Sequence, residues 1–499
     1  MTVEGEFSGS ADVLVIGSGI GGLSTAILLA RSGLRVTVVE KNPLPGGLMR
    51  GYFRSGIECD VGIHYLGALG RGQVLGRLFE LLGVSESIPV ERMGRDGVID
   101  RYLFEDFTFD LPEGLDAYEA NLRAAFPGEG PQITGIMDRL RASTDRLNRL
   151  AFLFSDGRGE WPTEEFEGMG DFLSRLGCSP GLKAVLAVPC GWIGVPPDIC
   201  PVFYHNMALG SYLLSSWRLK RGGSHMADVL AERFQELGGC LQTGEAVTEI
   251  LVEGRRAKGI RLASGRTLAA PAIVGAVHPQ TLLKMLPESG TPPLYRKRIA
   301  GLKNTHGILC VQAEVPASAH PEIPHNLIRI RHDGNGGFID FKFYQLRNTR
   351  RPDRNLLSIL TEGDTDHWSP WENTRTGARG RDYLDAKQRR AENLIRECEE
   401  TLGPLEGLQL LDVYTPLTMR DWVDTPEGAA YGVLRSCEQM FSAALLNRAS
   451  VKGLFLSGQS VMAPGILGTV VGSVLTARFI LPPEIFAETI LSKLETNIS

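Results

Sequence analysis

Short apolar runs flank a helical pattern near the start of the chain. Residues 12–16 (DVLVI) and 35–39 (RVTVV) each predict a buried strand. The alanine- and leucine-rich stretch between them, LSTAILLARSG, predicts a helix. Because a strand, a helix and a second strand in this order form a βαβ unit, we expect a parallel sheet to begin here.

Helical and strand patterns then follow in blocks. Much of residues 71–200 has apolar positions at three- and four-residue spacing, which predicts a mostly helical region. Short strands and turns over 240–278 end in an apolar run, and strand patterns return over 305–362. A helix predicted over 382–402 has the following apolar residues on one side: Leu384, Ala391, Leu394, Ile395, Cys398 and Leu402. A sheet backed by this helix would form a second domain, inserted into the first.

These patterns divide the chain between two discontinuous domains of an α/β protein. We expect the first domain to comprise residues 1–85, 205–300 and 425–499. The second domain, partly helical, is expected to comprise residues 86–204 and 301–424.

One long uncharged stretch imitates a membrane span. Leu454 to Ala477 carries no charge over 24 residues, which is long enough to cross a bilayer as a helix. Gly453 directly precedes it, Pro464 and four glycines interrupt it, and these residues break regular structure. The segment is therefore predicted to form a strand, a turn and a short helix.

Composition narrows the classes of function. Of the 499 residues, 43% are hydrophobic and 59 are glycine, which suits a large globular protein with many tight turns. The formal net charge of −6, without a long basic run, argues against a nucleic-acid partner. The 8 cysteines form no C-x-x-C pair, so we expect reduced thiols and no metal site. The first residues lack an export signal, which predicts a cytoplasmic protein.

A dinucleotide fingerprint follows the first strand. Gly17, Gly19 and Gly22 fit G-x-G-x-x-G at the turn into the helix, where glycine permits a tight turn, close approach to a pyrophosphate, and packing of helix on strand. Glu40 ends the second strand, where a carboxylate can accept hydrogen bonds from both ribose hydroxyls of an adenosine. Strand, turn, helix and acidic residue are in register, so a bound dinucleotide is predicted.

Two further segments identify the dinucleotide as FAD by resemblance. Residues 42–50 (NPLPGGLMR) and 453–459 (GLFLSGQ) resemble the glutathione-reductase-like class of FAD enzymes, in which the end of the chain completes the flavin site. More narrowly, the chain resembles the family of phytoene desaturases, carotenoid isomerases and retinol saturases. The D-x-G-x-H-Y-x-G stretch at 60–67, the PEGAAYG stretch at 426–432 and the final PGI at 464–466 carry that narrower resemblance.

The resemblance implies a glutathione-reductase-like FAD-binding Rossmann domain with an inserted α+β substrate domain, and FAD held noncovalently. It implies that the cofactor contacts the following residues: Gly17, Gly19, Ile20, Gly21, Gly22, Glu40, Lys41, Gly46, Gly47, Leu48, Met49, His64, Val247, Gly458, Gln459, Gly465, Ile466 and Thr469. Gln459 departs from the pattern, because related FAD proteins usually carry an acidic residue there.

Candidate catalytic residues are few. His64 and Tyr65 fall where the family brings the chain near the flavin, although a hydrogen-bonded core pair explains them as well. His205 is predicted to be ordinary packing. Four aromatic residues are candidates either for an apolar tunnel or for the core: Trp192, Phe203, Tyr212 and Trp217.

Arginines in two clusters raise the question of a membrane. The first cluster is Arg347, Arg350, Arg351 and Arg354, and the second is Arg375, Arg379 and Arg381. Solvated loops account for them, while peripheral contact with anionic headgroups is the alternative.

The leading hypothesis is an FAD-dependent oxidoreductase that acts on carbon–carbon double bonds of an apolar polyene or isoprenoid substrate. Saturation, desaturation and redox-neutral isomerisation, each by hydride transfer at flavin N5, all fit. Two alternatives stay open, an amine-oxidase-like flavoenzyme and a non-catalytic lipid carrier related to the Rab GDP-dissociation inhibitors. Only one fingerprint is present, so no dedicated nicotinamide domain is expected and the electron partner is unspecified.

Overall fold

A computed structural model describes residues 11–154, 163–333, 337–443 and 446–495. In chain order its strands are β1 (Val13–Ile16), β2 (Val36–Val39), β3 (Tyr52–Arg54), β4 (Ile57–Cys59), β5 (Leu66–Gly67), β6 (Val90–Arg92), β7 (Asp100–Leu103), β8 (Thr108–Leu111), β9 (Ser216–Leu219), β10 (Cys240–Gln242), β11 (Val247–Glu253), β12 (Arg256–Leu262), β13 (Thr267–Ala269), β14 (Ala272–Gly275), β15 (Gly307–Pro316), β16 (Asn326–His332), β17 (Phe338–Asn348), β18 (Arg354–Gly363), β19 (Gln409–Tyr414) and β20 (Leu454–Leu456).

Its helices are α1 (Ile20–Arg31), α2 (Val74–Leu82), α3 (Leu115–Ala125), α4 (Gly130–Asn148), α5 (Ala151–Phe154), α6 (Met169–Arg175), α7 (Pro180–Gly191), α8 (Val202–Leu214), α9 (Gly222–Glu236), α10 (Pro279–Lys284), α11 (Pro293–Ala300), α12 (Thr365–Trp368), α13 (Arg381–Leu402), α14 (Pro416–Val423), α15 (Met440–Ala443), α16 (Gly465–Ile480), α17 (Pro483–Phe486) and α18 (Ser492–Glu495).

The predicted βαβ unit forms the centre of a parallel sheet. Its five strands lie in the order β10-β2-β1-β14-β20, and all neighbours are parallel. Both faces are covered: α1, α9 and α16 pack on one, and the small antiparallel sheet β11-β12-β13 covers the other. Such two-sided burial requires near-continuous apolar strands, as in VLVI of β1. The expected α/β class is confirmed.

A seven-stranded mixed sheet forms the second layer system, in the order β19-β15-β18-β17-β16-β7-β8. The long helix α13 packs on one face, and α4, α7 and α8 contribute to the core on the other. The strands predicted over 305–362 are present here as β15, β17 and β18, together with β16, which the pattern did not reveal.

Two details of the sequence prediction are wrong. Leu384 is 57% exposed, because the neighbouring Tyr383 takes the position that faces the sheet. The mostly helical region 71–200 also contains β6, which pairs with β9, and the strands β7 and β8, which are short and carry charged residues. They are strands because β7 pairs with the distant β16, a contact that local periodicity does not encode.

The uncharged stretch from Leu454 divides as predicted, into β20, a turn, and the helix α16. Among the described residues, no helix is both long and apolar enough to span a membrane.

The division into two domains stays a prediction. Its boundary between residues 204 and 205 falls inside α8. Leu209 and Leu213 of that helix are buried in the same core as α4 and α7, which belong to the predicted substrate domain.

Candidate active site

A single cavity of about 510 Å³ begins where the parallel strands end and reaches the large mixed sheet. Gly17, Glu40, Ala276 and Ser457, which directly follow β1, β2, β14 and β20, all line it. The carboxyl edge of a parallel sheet is where α/β folds bind their ligands. Of the predicted cofactor residues, all except Gly22 line this cavity, as does Tyr65.

The glycine turn is built as the fingerprint requires. Gly17 has a φ of +96°, a conformation that suits glycine. A Cβ on Gly22 would overlap the carbonyl oxygen of Gly17, so this glycine serves helix–strand contact rather than the cavity. A Cβ on Gly19 would meet no protein atom within 4 Å. The space beside Gly19 is therefore free for a ligand.

The Glu40 carboxylate is buried at the end of β2 and holds the turn. Its Oε2 accepts hydrogen bonds from the backbone N–H (2.9 Å) and the hydroxyl (2.6 Å) of Ser18, and its Oε1 accepts from the Asn42 N–H (2.9 Å). A carboxylate has about four acceptor positions, so Glu40 retains capacity for a ribose hydroxyl.

The next loop folds back onto the glycine turn. Gly46 has a φ of +131°, and its N–H donates to the Ser18 carbonyl (3.1 Å). A Cβ on Gly47 would lie 3.1 Å from the Cα of Gly19. These close backbone approaches place Leu48 and Met49 in the cavity wall.

The end of the chain completes the same wall. A Cβ on Gly21 would lie 2.5 Å from the Cα of Gly458, so the loop after β20 packs directly on α1. The Gln459 side chain donates to the Ala430 carbonyl (3.2 Å), which occupies its amide nitrogen. The first turn of α16, from Gly465 through Ile466 to Thr469, faces the cavity, where its free N–H groups favour negative charge.

Lys41 and Val247 also line the cavity. The Lys41 ammonium forms an ion pair with Asp424 (2.9 Å) and donates to the Asp421 carbonyl. Val247 begins β11 and is buried.

His64 lies in the cavity wall with both ring nitrogens buried and without a hydrogen-bond partner among the described residues. The Gln345 amide instead lies 3.5 Å from the His64 backbone carbonyl. Burial lowers the pKa of His64 to about 4, so the imidazole is neutral near pH 7. A neutral imidazole can donate or accept a hydrogen bond but is a poor source of protons.

Tyr65 contributes its ring to the cavity and its hydroxyl to a buried network. The hydroxyl donates to Asp100 Oδ2 (3.0 Å), and Asn326 donates to Asp100 Oδ1 (2.7 Å). Burial raises the pKa of Asp100 to about 6. This hydrogen bond holds Tyr65 in place. It also directs the phenol proton at Asp100, which does not line the cavity.

His205 is a satisfied core residue, as predicted. It is 1% exposed, its Nδ1 lies 2.9 Å from Asn206 Oδ1, and its Nε2 lies 2.8 Å from the Leu186 carbonyl.

The four aromatic candidates separate into two groups. Trp192, Phe203 and Tyr212 line the cavity. Trp217 does not; it lies on β9 and donates its indole N–H to Ser215 Oγ (2.8 Å).

Several of the arginines are engaged in ion pairs. Arg347 pairs with the buried Asp60, Arg354 lies 3.6 Å from Glu314, and Arg379 lies 2.6 Å from Asp421. Arg381, by contrast, is 86% exposed. Peripheral contact with a membrane stays a prediction.

Sequence reasoning missed other parts of the wall. Phe343, from β17, packs against His64 with ring centroids 5.5 Å apart. His278 follows β14, His306 directly precedes β15, and Tyr431 lies in the connection between α14 and α15. These residues are far apart in the chain, and of them only Tyr431 lies in a motif, the PEGAAYG stretch, so the fold is what brings them together.

The wall offers polar groups to a ligand. Four of its side chains have buried polar atoms without a partner within the described ranges: His278 Nε2, the His64 ring nitrogens, Trp192 Nε1 and Thr425 Oγ1. Buried polar groups in proteins nearly always have a partner, and polar atoms of a bound ligand could satisfy these groups. Together with the open space at Gly19, the residues present fit FAD.

Comparison with known proteins agrees with this architecture. Residues 20–479 match the family described as flavin containing amine oxidoreductase. The chain is 25% identical to the all-trans-retinol 13,14-reductase of Rattus norvegicus over 96% of this chain and 86% of that protein. It is 28% identical to the all-trans-zeta-carotene desaturase of Myxococcus xanthus over 52% of this chain and 51% of that protein.

Among solved structures, an oxidoreductase from Methanosarcina mazei superposes with a TM-score of 0.65 over 93% of this chain and 99% of its own, at 15% identity. At that identity the likeness shows the fold alone.

Proposed function

We propose that this chain, which belongs to the flavin-containing amine oxidoreductase family, uses FAD to add or remove hydrogen at the carbon–carbon double bonds of an apolar polyene. Bound FAD would accept or supply the hydride. The chain's own task is then to hold both molecules in contact and to exclude water.

The main support for this proposal is the continuous cavity described above. It joins the glycine turn at Gly17 to a chamber walled by aromatic side chains such as Tyr65, Trp192 and Phe343. A ligand in the chamber and a dinucleotide along the turn would share one enclosed space. Such a chamber suits a long apolar molecule, which gains free energy when its surface leaves water.

Positioning outweighs acid–base catalysis in this chamber. Polyene carbons carry no acidic heteroatom, and charge formed by hydride transfer is delocalised over the conjugated system. His64 is neutral and the Tyr65 proton is directed at Asp100, so neither is set up as a strong acid near pH 7. We propose that both residues shape the cavity and orient the substrate.

The activities for which the relatives are named support the same substrate class. One relative, similar over almost the whole chain, is named for reduction of all-trans-retinol, and another is named for desaturation of zeta-carotene. Both names describe the addition or removal of hydrogen in a polyene.

FAD is proposed to be noncovalent. No cysteine is among the described residues that line the cavity, so a thioether to the flavin has no donor there. Acid or heat should release the flavin into the supernatant, whereas flavin that stays with precipitated protein contradicts this expectation.

The deciding experiment starts from the absorption spectrum of the purified protein. The bound flavin is reduced anaerobically and then mixed with all-trans-retinol or a carotene, and flavin reoxidation and product are followed together. Reoxidation with a matching yield of saturated product identifies a saturase, while reduction of oxidised flavin by the polyene identifies a desaturase.

Other results would replace the proposal. Flavin reduction by a primary amine, with no response to polyenes, indicates amine oxidation. A colourless protein that binds prenyl lipids indicates a carrier.

A further inference from the structure

We propose that the substrate carries a neutral oxygen, as a hydroxyl or carbonyl group, and that Trp192 Nε1 donates a hydrogen bond to it. This inference rests on the proposed function and refines its substrate class. It makes Trp192 a specificity-determining residue that separates oxygenated polyenes from hydrocarbons.

The indole of Trp192 is a donor without a partner. Trp192 follows α7 at the turn that includes Gly194, and its ring lines the cavity. Its Nε1 atom is buried and makes no hydrogen bond among the described residues. An indole N–H can only donate, so an acceptor from the ligand is the group that would satisfy it. The indole of Trp217, outside the cavity, already has Ser215 as acceptor.

Other neutral donors surround Trp192. Its ring centroid lies 5.1 Å from that of Tyr212. Tyr431 packs directly against Gly194 of the same turn and also lines the cavity. Burial raises the pKa of Tyr431 to about 12 and that of Tyr212 further still, so both phenols keep their protons. This part of the wall is therefore apolar but rich in hydrogen-bond donors.

Charge excludes a carboxylate as the acceptor. Lys41 is the only lysine or arginine among the described residues of the cavity wall, and Asp424 pairs with it. Burial lowers the pKa of His64 and His278 to about 4 and also lowers that of His306. An anionic head would lose its hydration without meeting a cation, which is strongly unfavourable. A neutral oxygen has no such cost and satisfies the indole.

The test compares three ligands of one carbon skeleton: all-trans-retinol, all-trans-retinoic acid, and axerophtene, in which a methyl group replaces the CH2OH. Each is titrated into the FAD-loaded wild-type protein, and Kd is read from the change in the flavin absorption band. We expect retinol to bind about three- to tenfold more tightly than axerophtene, the value of one hydrogen bond, and more tightly than retinoic acid.

Trp192→Phe assigns the preference to the indole. It keeps an aromatic ring but removes the N–H, so retinol and axerophtene should then bind equally. Trp217→Phe is the matched control and should keep the wild-type preference. Flavin content is measured for each variant. If Trp192→Phe does not retain FAD, the affinities of the wild-type protein for retinol and axerophtene still test the inference.

Equal affinity of the wild-type protein for retinol and axerophtene would overturn the inference and leave the proposed function intact. A preference that survives in flavin-loaded Trp192→Phe would overturn it as well. If none of the three ligands binds, the proposed function fails, and this inference fails with it.

Discussion

Gly19 and Gly22 belong to one fingerprint but serve different purposes. A side chain on Gly19 would extend into open space beside the cavity, while one on Gly22 would overlap the backbone of Gly17. The absence of a side chain at Gly19 leaves space in which the proposed cofactor fits. The absence of a side chain at Gly22 allows helix α1 to pack against the turn.

Gly19→Val should empty the flavin site while the protein stays folded. The added side chain would fill the space where backbone must approach a pyrophosphate. The flavin-to-protein absorbance ratio measures the loss, and circular dichroism reports the fold. Gly128→Val, where a Cβ also meets no atom within 4 Å, should keep normal flavin. Normal flavin in Gly19→Val would mean that the fingerprint has been misread.

His64→Asn should lower flavin occupancy or stability, while the rate per bound flavin stays within about tenfold of wild type. General acid catalysis typically contributes about 10²- to 10⁴-fold, and a histidine whose pKa is lowered to about 4 is rarely protonated at pH 7. Rapid-reaction reoxidation, normalised to flavin, measures this rate. A drop of several hundredfold with an unchanged flavin spectrum would make His64 the proton donor.

The same substitution should change how stability depends on pH. Burial lowers the pKa of His64 to about 4 in the folded chain, while an exposed histidine has a pKa of 6.5, so the unfolded chain binds the extra proton between these values. Stability is therefore lost as pH falls through this window, by roughly 2 kcal/mol at pH 5 for this group. Urea unfolding of the flavin-free protein at pH 7 and pH 5 should show a smaller loss for His64→Asn than for wild type. An identical loss would contradict the assignment.

The parallel sheet depends on the contact between helix α1 and the glycine turn that follows β1. Helix α1 is buried along most of its length and packs against α16 and α9. Its approach to the turn is set by the absence of a side chain at Gly22.

Gly22→Ala should destabilise the flavin-free protein by about 2 kcal/mol or more, because the new methyl group forces helix and turn apart. Gly19→Ala, with open space around its Cβ, should change stability by less than about 1 kcal/mol. Urea unfolding without flavin separates the two effects, and equal stability of both variants would contradict this account.

A buried ion pair between distant parts of the chain connects the cavity wall to the seven-stranded sheet. Asp60 precedes the segment that carries His64 and Tyr65, and its carboxylate pairs with Arg347 of β17. Asp60 is 4% exposed and also accepts from the Gly223 N–H at the start of α9 (3.4 Å). This contact ties the cavity wall to the large sheet.

Arg347→Met should destabilise the protein by about 2–4 kcal/mol, because it leaves the Asp60 carboxylate buried without its cation. Arg350→Met is the control: Arg350 is 64% exposed and lies 3.8 Å from Glu58, so its loss should have an effect of less than about 1 kcal/mol. Denaturant unfolding measures both. Similar small losses in the two variants would show that the Asp60 contact contributes little.

NADPH should bind weakly, if it binds, and should compete with the polyene. The described residues contain one parallel sheet with one glycine fingerprint, so a nicotinamide has no dinucleotide site of its own. Steady-state inhibition patterns distinguish the cases. Tight NADPH binding that ignores the polyene would indicate a second site.

The sequence by itself determined the nucleotide end of the protein. The glycine turn, Glu40 and the loop at Gly46 are local motifs, because close backbone approach can be met only by particular residues at fixed spacing. The α/β class and the division of the Leu454 stretch follow from local periodicity and from Pro464 in the same way.

Only the tertiary structure decided the substrate end. Phe343 lies on β17, while Trp192 and Tyr431 come from connections far apart in the chain, and Asp100 reaches Tyr65 because β7 pairs with β16. The neutrality of His64 likewise follows from burial by residues distant in the chain. Burial and long-range pairing depend on where the whole chain packs, and no local pattern encodes them.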